Sequence, residues 1–131
     1  MSALRFLTID EVIALHGIMI LDMGGIATLR DLALLESAIA QPGATYGGEF
    51  LHENIFLMAA AYFFHISQNQ PFTDGNKRTG LACMFTFLKI NGYQLDTTNE
   101  VLYPMLDRVA KGQETKEGLG SFINQHCLQL L

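Results

Sequence analysis

The stretch Gln70-Pro71-Phe72-Thr73-Asp74-Gly75-Asn76-Lys77-Arg78 concentrates the residue types that do chemistry in this 131-residue chain. Asp74-Gly75-Asn76 is turn chemistry, with a glycine that tolerates positive φ and lets a ligand approach the backbone. A helix beginning at Asn76 points its unpaired amides outward, and such amides bind anions. Lys77 and Arg78 fall in that first turn, where cations oppose the helix dipole at roughly a few tenths of a kcal/mol each. Their placement makes sense if a phosphate group sits on the amides and both cations close on it. Asp74 suits a magnesium ion, which takes one or two carboxylates together with phosphate oxygens. Phe72 is placed to enter the core and anchor the loop. The bland alternative is an ordinary interhelical loop, with Asp74 or Thr73 as a cap and two solvated cations. The GxxxxGK[ST] spacing of a Walker A loop is absent.

The elements that must hold this stretch are helices. Thr8-Ile9-Asp10-Glu11 has the capping-box pattern and starts the first, with Val12, Leu15, Met19 and Met23 near helical spacing and Gly24-Gly25 at its end. A second starts near Asp31, carries Leu32, Leu35 and Ile39, and stops at Pro42-Gly43. Tyr46-Gly47-Gly48-Glu49 reads as a turn or flap within residues 45–50. The third helix spans about Glu53 to Gln68 and is apolar on nearly every face through Phe64, the mark of a helix buried all round. The fourth runs from Asn76 to Asn91-Gly92 with Leu81, Phe85 and Leu88. A fifth covers Asn99 to Lys111 with Pro104 inside, and a last runs from about Thr115 to the C-terminus, weakened by Gly118 and Gly120. Strand signals are poor outside the segment around Tyr46. The expected fold is all-α, a single domain over residues 1–131, with two central apolar helices packed by four others.

Composition narrows the function. Hydrophobic residues are 50% and charged residues 16%, which excludes a disordered tail. The formal charge of -5 argues against non-specific binding to nucleic acid. Cys83 and Cys127 form no CxxC pair and read as small buried hydrophobes in a reducing compartment. The start, Met1-Ser2-Ala3-Leu4-Arg5, lacks a signal-peptide pattern. The longest apolar run, Ile55 to Phe64, is about half of what a bilayer requires. The expectation is a cytoplasmic protein with no membrane contact.

Phe72, Asp74, Gly75, Asn76, Lys77 and Arg78 resemble the core motif of the Fic/Doc family, His-x-Phe-x-Asp/Asn-Gly/Ala-Asn, with the Lys-Arg ending of its Doc (death on curing) branch. Leu7 to His16, Leu34-Leu35-Glu36-Ser37-Ala38 and Asn91-Gly92-Tyr93 extend the likeness over nearly the whole chain. The resemblance implies a compact helical fold and transfer of phosphate, or less readily AMP, from ATP to a protein hydroxyl. For the Doc branch it implies a threonine of elongation factor Tu as target and a small antitoxin as partner. It implies magnesium on Asp74 and phosphates cradled by Asn76, Lys77, Arg78 and the Gly75 amide. It also implies a catalytic part for the position of Gln70 and for Asp74, Lys77 and Arg78. The flap, Tyr46 to Phe50, would align the target as an added strand.

One departure matters more than the matches. The family's catalytic histidine corresponds to Gln70. A glutamine amide cannot take the proton of an attacking hydroxyl, though it accepts a hydrogen bond and orients one. A missing general base removes about 10²–10⁴-fold in rate, while positioning and charge neutralisation, which dominate phosphoryl transfer, remain. An active toxin and an impaired relative that binds nucleotide or an antitoxin without efficient transfer both stay open. A helical interaction domain that binds no nucleotide is a third reading. His65 lies on the apolar helix and is a poor substitute base. His16, His52 and His126 are isolated and lack HxxxH or HExxH spacing. Gln113 to Gly118 departs from the inhibitory [Ser/Thr]-x-x-x-Glu-[Gly/Asn] helix of some Fic proteins at Gln113, so inhibition would come from another chain.

Overall fold

In the computed structural model, which describes residues 3–130, α1 (Ile9–Met23) and α2 (Leu32–Ala40) precede a ribbon of β1 (Thr45–Tyr46) and β2 (Glu49–Phe50). α3 (Ile55–Asn69) and α4 (Asn76–Ile90) follow, then β3 (Tyr93–Leu95), α5 (Asn99–Ala110), α6 (Lys116–His126) and β4 (Cys127–Gln129). Met1, Ser2 and Leu131 lie outside the described residues, as does their share of the readings of the chain start and of the last helix. Among the described residues the fold is six helices with short strands, as the all-α expectation has it. No helix there is long and apolar enough to cross a membrane.

The helix starts follow local chemistry. Thr8 Oγ1 accepts from the Glu11 amide at 3.2 Å, and the Glu11 carboxylate accepts from the Thr8 amide at 2.9 Å, completing the capping box. Asp31, Asn54 and Thr115 cap α2, α3 and α6 through side-chain oxygens. The buried stripe of α1 is Val12, His16 and Ile20, displaced from the expected Val12, Leu15, Met19 and Met23. Met23 is 61% exposed.

α3 is the axis. Met58 through Phe63 and Ile66 are buried, each large side chain contributing roughly 1.5–3 kcal/mol of transfer free energy. Neighbouring helices come within backbone distance on either side. A Cβ on Gly80 of α4 would lie 3.2 Å from Phe63 Cα and 3.2 Å from its carbonyl oxygen. A Cβ on Gly120 of α6 would lie 3.1 Å from Leu57 Cα. The glycine that weakens α6 locally is what lets it dock.

Two expectations are corrected. β3 and β4 form an antiparallel pair, Tyr93 opposite Gln129 and Leu95 opposite Cys127, where the sequence shows no strand signal. The last helix ends at His126, and Cys127 is extended. Strands of three residues show too little alternation to be read. They form because each chain leaving a helix satisfies the other's backbone, with the Leu130 amide on the Gly92 carbonyl at 2.7 Å.

His65 of α3 approaches Lys116 of α6, Nε2 to Nζ at 3.2 Å, with the His52 ring centroid 6.4 Å away. Burial first, then the charge of Lys116, pushes the His65 pKa down to about 4. The folded protein therefore holds this ring neutral while the unfolded chain protonates it near 6.5. The unfolded state binds more protons below that value, so this contribution is complete above it and is lost as pH falls toward 4. The urea midpoint is expected to drop between about pH 7.5 and about pH 5, and less so in His65→Gln; equal drops in both proteins would exclude His65 as the source. Gly80→Ala is expected to lose roughly 1–2 kcal/mol net, since the Phe63 backbone cannot turn aside, although alanine gains about 1 kcal/mol in helix propensity. An unchanged urea midpoint would show that α3 and α4 separate without cost.

Candidate functional site

α3 ends where the conspicuous stretch begins. Gln70 is its C-cap, with φ 48 and ψ 57, the one non-glycine residue at positive φ among the described residues. A left-handed non-glycine residue costs roughly 1–2 kcal/mol. The conformation is held from outside. Its amide donates to the Ile66 carbonyl at 3.1 Å. Arg30 Nε donates to the Gln70 carbonyl at 3.0 Å, and Nη2 to both the Gln70 and Asn69 carbonyls. The guanidinium thus meets the carbonyl end of the helix, where a cation is favoured.

The next residues run beside the segment leading into α2. The amides of Arg30 and Asp31 donate to the Pro71 carbonyl at 2.8 and 3.0 Å, and the Thr73 amide donates to the Thr28 carbonyl at 2.9 Å. Phe72 is 1% exposed and stacks on the His16 ring, centroids 3.7 Å apart and planes 6° from parallel. His16 Nε2 lies 2.8 Å from the Asp74 carbonyl oxygen, an acceptor, so this nitrogen carries the proton. The Phe72 amide donates to Asn76 Oδ1 at 3.0 Å, and Asn76 Nδ2 donates to the Phe72 carbonyl at 2.9 Å. Both ends of the Asn76 side chain are thereby engaged, and what Asn76 offers an anion is its backbone amide.

Gly75, φ 77, precedes α4, which has no side-chain cap. Its positive φ calls for glycine, and a Cβ there would also lie 3.1 Å from Ile20 Cδ1, which would have to give way. Thr79 is the first amide to bond back, to the Gly75 carbonyl at 2.9 Å. The amides of Asn76, Lys77 and Arg78 have no protein partner among the described residues and leave the start of a 15-residue helix with free donors, a setting chemically suited to an anion.

These amides open on a cleft of about 480 Å³. Gln70, Asp74, Gly75, Asn76, Lys77 and Arg78 all line it, together with Ser67, Thr73, Ala110 and Lys111, while Phe72 sits beneath. The Asp74 carboxylate has one long contact, from the Ile26 amide to Oδ2 at 3.4 Å. It is the one carboxylate in the lining, which fits magnesium sharing its shell with phosphate oxygens and water. Gly25 makes room for it, since a Cβ there would lie 2.9 Å from Asp74 Oδ2. Lys77 Nζ pairs with Asp107 Oδ1 at 3.3 Å.

The ribbon is not brought to this cleft. Tyr46, Gly47, Gly48 and Glu49 are absent from its lining. Phe50 packs on Phe6, centroids 5.9 Å apart, and Phe6 on Phe87, roughly three turns along α4 from Asn76. Tyr46 is 82% exposed. His65 is likewise outside the lining, its Nε2 facing Lys116. Two positioning residues escaped the sequence reading. His16 was legible in principle, as the polar member of the stripe Val12–His16–Ile20. Arg30 carries no local signal, because its partners are forty residues away in the chain.

Residues 6–88 match the family model described as the Fic/DOC family. A protein named Toxin Doc from Mycolicibacterium smegmatis is 43% identical over 72 residues, 55% of each chain. The match thus spans about half the length of that relative. Protein kinase doc of Escherichia phage P1 is 31% identical over 98 residues, 75% of this chain and 77% of the phage protein.

His16→Phe keeps a stacked ring over Phe72 and deletes the donor to the Asp74 carbonyl. The expected cost is roughly 1–3 kcal/mol of stability, with weaker binding of inorganic phosphate in a calorimetric titration. Wild-type values for both would show that this carbonyl needs no donor.

Proposed function

This chain belongs to the Fic/DOC family, and from that premise we propose that it is a Doc-type toxin transferring phosphate from ATP to a hydroxyl of a protein target. The observation that carries the reading is the uncapped start of α4, with Lys77 and Arg78 in its first turn and Asp74 beside it in one cleft. Phosphate is preferred over AMP because the phage relative is named a kinase. Elongation factor Tu is the proposed target, a small antitoxin the proposed partner, and the cytoplasm the proposed compartment. The name Toxin Doc on the mycobacterial relative supports the antitoxin.

The residues divide the work by their chemistry. The Gly75–Arg78 backbone and the Lys77 and Arg78 cations bind and orient the phosphates and neutralise charge as the target oxygen bonds to the terminal phosphorus and the bond to ADP breaks. Asp74 is the residue that would hold magnesium, which when bound would supply positive charge to offset that of the phosphates. The Gln70 amide accepts a hydrogen bond from the target hydroxyl and orients it, and the proton leaves to water, since no glutamine takes it. The ribbon, with its exposed Tyr46, is proposed to guide the target chain toward the cleft as an added strand, from outside the cleft lining.

Gln70 favours a second reading, a relative that binds nucleotide or antitoxin with little transfer. Incubation with ATP, magnesium and elongation factor Tu, followed by intact-mass spectrometry, separates the two. A phosphate-sized gain is expected with the wild type, about 10²–10⁴-fold slower than with Gln70→His, and none with Asp74→Ala. A gain with Gln70→His alone would establish the second reading. No gain with either would overturn phosphate transfer to this target.

A further inference from the structure

Gln70 is the residue of the cleft least suited to transfer onto a protein hydroxyl, and the fold leaves its side chain uncommitted. The hydrogen bonds it makes among the described residues are all main-chain. Its amide donates to the Ile66 carbonyl at 3.1 Å, and its carbonyl accepts from Arg30. A left-handed backbone is costly for any residue but glycine, so these contacts hold Gln70 in one place. The residue is exposed and lines the cleft with Asp74, Lys77 and Arg78. A fixed backbone carrying a spare carboxamide is suited to orienting something small.

The place of the target hydroxyl is open to water. The ribbon stays outside the lining, and the acceptor proposed above comes with another molecule. Until it arrives, water fills a cleft of about 480 Å³. The two nucleophiles ask different things of a glutamine. A protein hydroxyl has one proton, and neither end of a carboxamide takes it. Water has two. One is given to Gln70 Oε1 as a hydrogen bond, and the other reaches a phosphate oxygen that accepts it. In GTP-hydrolysing switch proteins a glutamine orients the attacking water in this way, without serving as its base.

We propose that the cleft hydrolyses the terminal phosphate of a bound nucleoside triphosphate, with Gln70 orienting the water. The inference rests on the phosphate-transfer reading above and deepens it: the phosphoryl donor and its seat on the α4 amides are the same, and the acceptor changes. The water oxygen bonds to the terminal phosphorus as the bond from phosphorus to the ADP oxygen breaks. One water proton passes to an oxygen of the departing phosphate, so ATP and water leave as ADP and dihydrogen phosphate. Gln70 Nε2 donates to a phosphate oxygen while Oε1 holds the water, which aligns both reactants from one side chain. Lys77, Arg78 and the free amides of the first turn offset the charge, as they would for a protein acceptor.

The test follows inorganic phosphate released from ATP with magnesium and no protein target, beside calorimetric titration of ADP. The wild type is expected to turn over on the order of 10⁻⁴–10⁻² per second, the range of unassisted GTP-hydrolysing proteins. Gln70→Ala should slow release on the order of tenfold to a hundredfold, with ADP affinity held within about twofold. Gln70→Asn suits the left-handed backbone and withdraws the amide by one methylene, so it should slow release likewise with the turn intact. With elongation factor Tu added, Gln70→His takes a proton from either acceptor, and the ratio of phosphate released to phosphate transferred should fall below the wild-type ratio. Wild-type release rates in both Gln70→Ala and Gln70→Asn would overturn the role of Gln70. Equal release from Asp74→Ala would place the activity outside this cleft and overturn the inference. ADP binding with no phosphate released would overturn hydrolysis, and modification of elongation factor Tu in the same samples would keep the transfer reading standing. If ADP does not bind, the phosphate reading falls and hydrolysis with it.

Discussion

The approach of α4 to α3 at backbone distance governs everything else in this protein. Gly80 allows it, since any larger residue would press on the Phe63 main chain. Burial of the α3 side chains drives it. With the two helices so close, the chain has only residues 70–75 in which to reverse direction. The turn starts at the C-cap of α3, with Gln70 in the left-handed region, and finishes at Gly75 with positive φ again. The uncapped amides of α4 are a consequence. No side chain of so short a loop caps the helix, and its first donors face the cleft.

Side chains in the loop fall into two groups by what already satisfies them. Phe72 and Asn76, with His16 and Arg30 from outside, are fully engaged in holding the turn. Gln70, Asp74, Lys77 and Arg78 line the cleft, and the contacts of the Asp74 carboxylate and the Lys77 ammonium are long or solvent-exposed. The Lys77 pair is more than half exposed on both sides and so holds its lysine weakly. Shape and reactivity are thus assigned to different atoms. Asn76 shows the division within one residue: its side chain closes the loop, and its backbone amide is left without a protein partner among the described residues. Two cations at a helix start are unfavourable alone, and the anion that would reverse the sign has the free amides waiting beside it.

Legibility in the sequence followed how local each signal was. The capping box at Thr8, the buried character of the third helix and the turn at Asp74-Gly75 depend on neighbours within a few residues, and all were readable. The stripe of α1 was misread by about one position, because the counted residues were apolar and the true stripe has His16 at its centre. β3 and β4 exist only as each other's partner, with over thirty residues between them, and nothing inside either segment announces it. The clamp of Arg30 on Gln70 and the wall formed by Lys111 have the same character. The chemical residues of the site were legible because they are contiguous; the residues that position them were not, because the fold gathers them.

Gln70 shows what that separation allows. Its left-handed backbone is fixed by Arg30 on its carbonyl and by Ile66 on its amide, and neither contact involves the side chain. A change of side chain here leaves the turn, the α4 amides and the placing of Asp74 as they are. Proton chemistry is therefore separable from anion binding in this fold. Where the family pattern has a histidine able to take a proton, this chain has an amide that only orients, at an expected cost of about 10²–10⁴ in rate. Charge neutralisation and alignment, the larger part of catalysis for a phosphoryl group, reside in atoms that this exchange does not touch. On the proposed function, a site so built loses speed before it loses its ligand.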